Sequence, residues 1–403
     1  MLTTIRRAEY FELVVLFFIQ GMAMGMWFVP LGAVLDAHDM APLKPYAFAT
    51  TALAAFVSPL VFGAMADRHS SPVKVLRGLA IATAFAMALA ATAIKLECSR
   101  WVVLALIQLH SLCTAPNFGI STAIILSRLK NSQREFGPIR AMATFGWMAG
   151  CWIVSALNAD TTALAGYSGS IAWLVVATFT FFLPAVPPPK PTGPPTLRQR
   201  MGWDALSLLK NRDHRVVFIT AALFNVPVAA MYPFTPTHLR ELGLSHPSAW
   251  LSLGQVTEIS AMFMLAAMFA RFRIKWIFAI GLTLGLIRYG LAALNNKYGL
   301  LIGTSLHGCA FTFVMITSQI YLDERIDPAW RARAQSLYAL MTSGVGNLVG
   351  YLGTGWWFLA CTRSGVTHWS IFWGGLAGVV ALVATYFLTA YHGIGAAPRA
   401  ARE

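Results

Sequence analysis

The sequence predicts an all-α polytopic membrane protein, with twelve transmembrane helices in two pseudo-symmetric six-helix bundles. Three observations carry that prediction. The 403 residues are 57% hydrophobic and only 11% charged, whereas about a quarter of a soluble domain is charged. Apolar runs of about 20 residues, long enough to cross the hydrocarbon at about 1.5 Å per residue, recur along the whole chain. One long polar interruption divides these runs six and six, the layout of a two-repeat membrane carrier.

In order, the runs lie near 10–35, 46–66, 73–94, 101–127, 138–158, 167–186, 216–239, 248–270, 275–294, 298–322, 332–357 and 367–391. Ile5-Arg6-Arg7 precedes a first run too long for a cleaved signal, so that run reads as an uncleaved span. The interruption at 187–214 begins PPPKPTGPP, a stiff extended linker. It continues LRQRMGWDALSLLKNRDH, which can form a short amphipathic helix at the membrane surface. The expected domains are therefore 1–186, a linker at 187–214, and 215–403. The halves echo each other: Gly137-Pro138-Ile139-Arg140 opens the fifth run, and Asp327-Pro328-Ala329-Trp330-Arg331 opens the eleventh.

A net charge of +14 raises the question of nucleic acid. The distribution of Lys and Arg argues against it, because they cluster in the short loops between runs. With both termini on one side, only Lys44, Lys95, Arg100, Arg240, Lys297 and Arg363 fall opposite, and Arg288 lies inside a run. The large remainder of the 30 Lys and Arg share the side of the termini, which the positive-inside bias assigns to the cytoplasm. The five cysteines include no CxxC or His/Cys ligand spacing, so no metal or other cofactor is expected. No HExxH or nucleophile–base constellation points to an enzyme.

Glu258 is the one carboxylate among the 16 acids that the span assignment places too deep to reach a membrane surface. An acid at mid-depth costs several kcal/mol unless it faces a cavity and serves a function. Gln255 lies one turn before it on the same face. Glu258 precedes Arg271 by the same interval at which Arg288 follows Lys275, about 20 Å of helix in each case. The two are level and able to pair, either as a structural ion pair or as a carboxylate with a cationic reset partner. Gln20, Asn117 (after Pro116) and Asn225 are further mid-depth amides, serving either as helix–helix hydrogen bonds or as a polar pocket. Tyr232 ends the stretch of the seventh run that begins at Asn225, and is a further candidate substrate contact. His307 and Phe311 stand one turn apart, and a histidine there serves as a structural donor or as a substrate or proton site. Arg140, Thr144 and Trp147 share a face at i, i+4, i+7, with the indole placed to stack on a planar substrate.

Gly63-Ala64-Met65-Ala66-Asp67-Arg68, ending the second run, resembles the loop motif of the major facilitator superfamily, with Gly63, Asp67 and Arg68 as its gating residues. His69-Ser70-Ser71 replaces the Gly-Arg-Arg that often follows. A closer resemblance covers nearly the whole chain. GPIRAMATFGWMAGCWIVSAL (137–157), LGQVTEISAMFML (253–265), GLIRYGLAAL (285–294) and HGCAFTFVMITSQIYLDERIDPAWRARAQ (307–335) resemble the bacterial nucleoside:proton symporters of that superfamily. Phe18-Ile19-Gln20 with Gly25-Met26-Trp27 fits as well, as do Asp204-Ala205-Leu206 and Lys210-Asn211.

The resemblance implies proton-driven nucleoside uptake across a bacterial inner membrane by a carrier functional as a monomer, its partners being the nucleoside, protons and the bilayer. Arg140, Thr144 and Trp147 would then serve from the first half, and Gln255, Glu258, His307 and Phe311 from the second. Glu258, with His307 and Arg288, would couple the proton. The chain departs from the pattern where His307 replaces an aromatic hydroxyl and Thr312 an acid, and its seventh run (Asn225 to Tyr232) has fewer amides. Two other readings stay open at this stage: a proton-coupled carrier of another polar or amphipathic solute, and a non-transporting sensor on the same scaffold.

Overall fold

The computed structural model describes residues 10–68, 71–130, 132–183, 203–327 and 330–393. All twelve apolar runs are helical there, and eight helices among the described residues are long and apolar enough to cross a membrane. The chain divides into two compact units, Met1–Pro194 with Ala230–Gln255, and Pro195–Ala229 with Val256–Glu403.

Unit 1 contains α1 (Phe11–Phe28), α2 (Leu31–Ala37), α3 (Lys44–Arg68), α4 (Pro72–Lys95), α5 (Arg100–Leu126), α6 (Ser132–Ala156) and α7 (Leu164–Phe179). Pro30 separates α1 from α2, so the first run is a broken helix. The seventh run also breaks, into α8 (Arg212–Val228) and α9 (Met231–Glu241), and α10 (Pro247–Leu251) precedes α11 (Leu253–Arg271). Asn211 caps α8 by accepting from the His214 amide. Sequence order puts the hairpin Ala230–Gln255 in the second half, yet it belongs to unit 1, where polar contacts hold it. Asp160 accepts from the Ser248 amide at 2.8 Å, Trp152 Nε1 donates to Ser252 at 2.9 Å, and Asp36 accepts from Thr237 at 2.6 Å. Asp36 also pairs with Lys44 at 2.8 Å, where the ammonium stem is 1% exposed.

Close backbone approach fixes α1 against α6. Gly21 and Gly25 on α1 meet Ala143 and Trp147, while Gly146 and Gly150 on α6 meet Phe18 and Met22. The glycines four apart on both helices let main chains touch where side chains would hold them apart.

Unit 2 adds α12 (Ile274–Ala293), α13 (Lys297–Phe311), α14 (Thr317–Arg325), α15 (Arg331–Ala339), α16 (Asn347–Cys361) and α17 (Trp369–Ala390). Asn296 caps α13 through the Gly299 amide at 2.8 Å. The tenth and eleventh runs each contain a π-helical segment, Thr312–Ile316 and Leu340–Gly346. Gly346 and Gly350 approach the Ala222 and Val226 carbonyls of α8, so the seventh and eleventh runs meet through glycines as the first and fifth do. That repeats the internal echo seen in the sequence. The only strands among the described residues are Thr362–Arg363 and Val366–Thr367, an antiparallel pair turned by Ser364 and Gly365 at positive φ. In the central interruption, Trp203–Lys210 forms a short helix of the 3-10 kind. The proline run lies outside the described residues.

Candidate functional site

In unit 1, α6 presents Arg140, Thr144 and Trp147 as the i, i+4, i+7 spacing predicts. Thr144 is buried, while Arg140 and Trp147 are half-buried. Trp147 joins an aromatic cluster with Phe28 and Tyr232, each at 5.9 Å between ring centroids, and Phe28 and Tyr232 are 5.1 Å apart. Gln255 donates from Nε2 to the Tyr232 hydroxyl at 3.2 Å. One cluster thus contains Trp147, Tyr232 and Gln255, together with Phe28, which sequence reasoning missed. Phe28 directly follows Gly25-Met26-Trp27, the stretch already singled out in the sequence.

Arg140 belongs to a second group, its guanidinium 4.6 Å from the Phe118 ring centroid, with Phe118 stacked on Phe17 at 5.2 Å. Asn117 is fully buried and donates to Thr83 at 3.1 Å. Gln20 is fully buried on α1. Several buried polar atoms of these residues have no hydrogen-bond partner among the described residues: both amide atoms of Gln20, Asn117 Oδ1, Trp147 Nε1 and Gln255 Oε1. A buried donor or acceptor left unmet costs about 1–3 kcal/mol, and these atoms are free to bond a polar ligand; unmet buried atoms also occur elsewhere, on His110, Trp173 and Thr220 among others.

In unit 2, Arg288 and His307 are both buried, and Arg288 donates to His307 Nδ1 at 2.7 Å. Arginine only donates, so Nδ1 accepts and the ring's donor is Nε2–H. His307 is 5.8 Å from the Phe311 ring. Arg288, which the sequence places level with Glu258, thus has His307 on the neighbouring helix as one of its partners. Gly303, one turn before His307, lets the α13 backbone reach the Arg288 carbonyl, which brings the two side chains into range. Glu258 is half-buried on α11. Thr312 donates to its backbone carbonyl at 3.5 Å, which places Thr312 beside Glu258's own turn. Asn225 is buried between helices, donating to the Thr342 carbonyl at 2.9 Å and to Asn347. That is a helix–helix bond of the kind that ties membrane bundles together. Gly63, Asp67 and Arg68 lie at the end of α3, and their side chains are outside the described residues.

The chain is 32% identical over 396 residues to the putative nucleoside transporter YegT of Escherichia coli (strain K12), covering 92% of this chain and 91% of that one. It is 25% identical over 402 residues to the nucleoside permease NupG of the same organism, covering 94% and 95%. The crystal structure of a D323A mutant of the nucleoside transporter NupG superposes with a TM-score of 0.87 at 24% identity, over 95% of this chain and all of that one. A bacterial homologue of the lysosomal transporter Spinster superposes at 0.70 with 14% identity, so the fold is of the major facilitator type. The sequence profile of the Nucleoside H+ symporter family matches residues 8–393, and the chain belongs to that family.

Proposed function

We propose that this protein is a proton-coupled nucleoside importer that works by alternating access, with twelve spans, both termini in the cytoplasm and the monomer as the functional unit. The observation that carries the reading is the set of buried, unpartnered polar atoms on residues beside aromatic rings, Trp147 Nε1 and Gln255 Oε1 foremost. A nucleoside supplies what they lack: a flat base to lie against Trp147 and hydroxyl and ring-nitrogen groups to satisfy the amides. The residues that the family resemblance assigns to the nucleoside are Arg140, Thr144, Trp147, Gln255, Glu258, His307 and Phe311, to which Gln20, Asn117 and Tyr232 are added as polar groups. His307 serves through Nε2–H, while Arg288 holds the imidazole in that tautomer.

Asn225 acts here as a positioning residue, because its amide is used between helices. Glu258 is the protonatable group. Thr312 stands beside its turn, so no second acid is available at that point to share the proton. Neutralising Glu258 removes a charge that would otherwise oppose movement of the loaded site through the bilayer. Uptake of labelled nucleoside by proteoliposomes, with and without an inward proton gradient, tests the reading. Gradient-dependent accumulation is expected, and accumulation that ignores the gradient would remove the coupling.

A further inference from the structure

At one end of unit 2, where α11 stops, α12 starts and α14 and α17 stop, there is a cavity of about 750 Å³. This is the size of a small-molecule site, and no part of the proposed nucleoside site lines it. Arg271, Arg273, Lys275 and Arg325 line it against a single acid, Glu324. Lys275 is partly engaged, donating to the Tyr391 carbonyl at 3.1 Å. Arg271, Arg273 and Arg325 are exposed and make no salt bridge or hydrogen bond among the described residues. Arg273 is the N-cap residue of α12 and Lys275 lies in its first turn. A helix N-terminus already carries partial positive charge and favours anions, so cations there raise the local potential instead of balancing it. An excess of cations held in a cavity at a helix start attracts a compact oxyanion.

The source of that oxyanion follows from the apolar part of the wall. Phe272 and Trp276 also line the cavity and are 44% and 55% exposed. Aromatic rings beside arginines at the end of a membrane helix mark the headgroup level of a bilayer, and basic pockets between helix ends bind lipid head groups. We propose that this cavity is a binding site for the phosphate of an anionic phospholipid, with Arg271 and Arg273 as its main contacts and Phe272 and Trp276 against the adjoining glycerol and acyl region. The charge distribution puts it in the cytoplasmic leaflet.

The test uses the purified full-length chain in detergent, with phosphatidylglycerol or phosphatidylcholine added, read by native mass spectrometry. The wild type is expected to retain phosphatidylglycerol over phosphatidylcholine. The double variant Arg271→Gln/Arg273→Gln should retain it about ten-fold or more less well, two cations being removed near the surface. Arg271→Lys/Arg273→Lys should keep most of the preference and guards against a folding defect in the Gln variant. Equal retention of the two lipids by the wild type overturns the site. Displacement of the bound lipid by millimolar glycerol phosphate, with the same dependence on Arg271 and Arg273, would assign the oxyanion site to a soluble phosphate and overturn the lipid.

Discussion

Arg288 on α12 donates to Nδ1 of His307 on α13 across 2.7 Å, with both side chains buried. That bond fixes which ring nitrogen carries the hydrogen. It also makes Arg288 a positioning residue for the donor His307 offers. Arg288→Gln should weaken nucleoside binding by roughly ten- to a hundred-fold, the worth of a hydrogen bond to a charged group. Arg288→Lys should restore part of it. Equilibrium binding of labelled nucleoside to purified protein measures both, and unchanged affinity in Arg288→Gln would dismiss the role.

Glu258→Gln keeps the size and the hydrogen-bonding reach of the side chain but not its charge. The expected variant binds nucleoside and exchanges it across vesicle membranes, yet no longer accumulates it when the outside is acidified. The wild type should accumulate more as external pH falls, because protonation from that side loads the carrier. A Glu258→Gln protein that still concentrates nucleoside under a pH gradient would move coupling to another group.

Trp147 tests the stacking surface. Replacing it with Ala should raise the apparent Kd by about five- to a hundred-fold, the range that base–aromatic stacking spans in other proteins. Trp147→Phe should lose far less, since Phe28 and Tyr232 still frame a ring of that shape. Nucleoside titration followed by intrinsic fluorescence or calorimetry gives the comparison.

The glycine contacts between α1 and α6 predict a stability effect separate from binding. Gly146→Ala puts a methyl group into the Phe18 carbonyl, and Gly25→Ala brings one to 2.7 Å from the Trp147 carbonyl. Overpacking of this kind costs about 1–3 kcal/mol, read as a lower thermal midpoint. Gly78→Ala and Gly119→Ala meet open space and should leave the midpoint in place or raise it.

The Asp36–Lys44 pair, with Thr237 from the hairpin, lies outside the substrate residues and should behave as a structural unit. Asp36→Asn leaves the buried ammonium without its carboxylate, and losses of about 3–5 kcal/mol are typical. Lys44→Met/Asp36→Leu should recover much of that, since neither charge then needs compensation. A thermal-stability cycle over the two single variants and the double variant measures the coupling.

Much of this was legible in the residues. Runs of apolar length gave the helical architecture. The i, i+4, i+7 spacing brought Arg140, Thr144 and Trp147 to one helix face. Other features depend on partners far away in the chain. Spacing placed Glu258 and Arg288 level, but it does not record that the close approach at Gly303 also brings Arg288 to His307. Asn225 looked like any mid-depth amide until Thr342 and Asn347 were seen to occupy it. The hairpin Ala230–Gln255 belongs with the first helices because of single side chains such as Asp160 and Trp152, whose reach no periodicity records.

The π segments at Thr312–Ile316 and Leu340–Gly346 carry a consequence for how these helices can be altered. Each holds about one residue more than the α-helical pitch requires, so the side chains on either side are out of phase with a regular wheel by about 100°. Excising one residue from either segment would let it relax to an ordinary coil while rotating everything beyond it. His307 and Phe311 would then face a different direction from Ser318 and Tyr321, although every amino acid named in the site remained in the chain. In these two helices, length is as much a determinant of the site as chemistry.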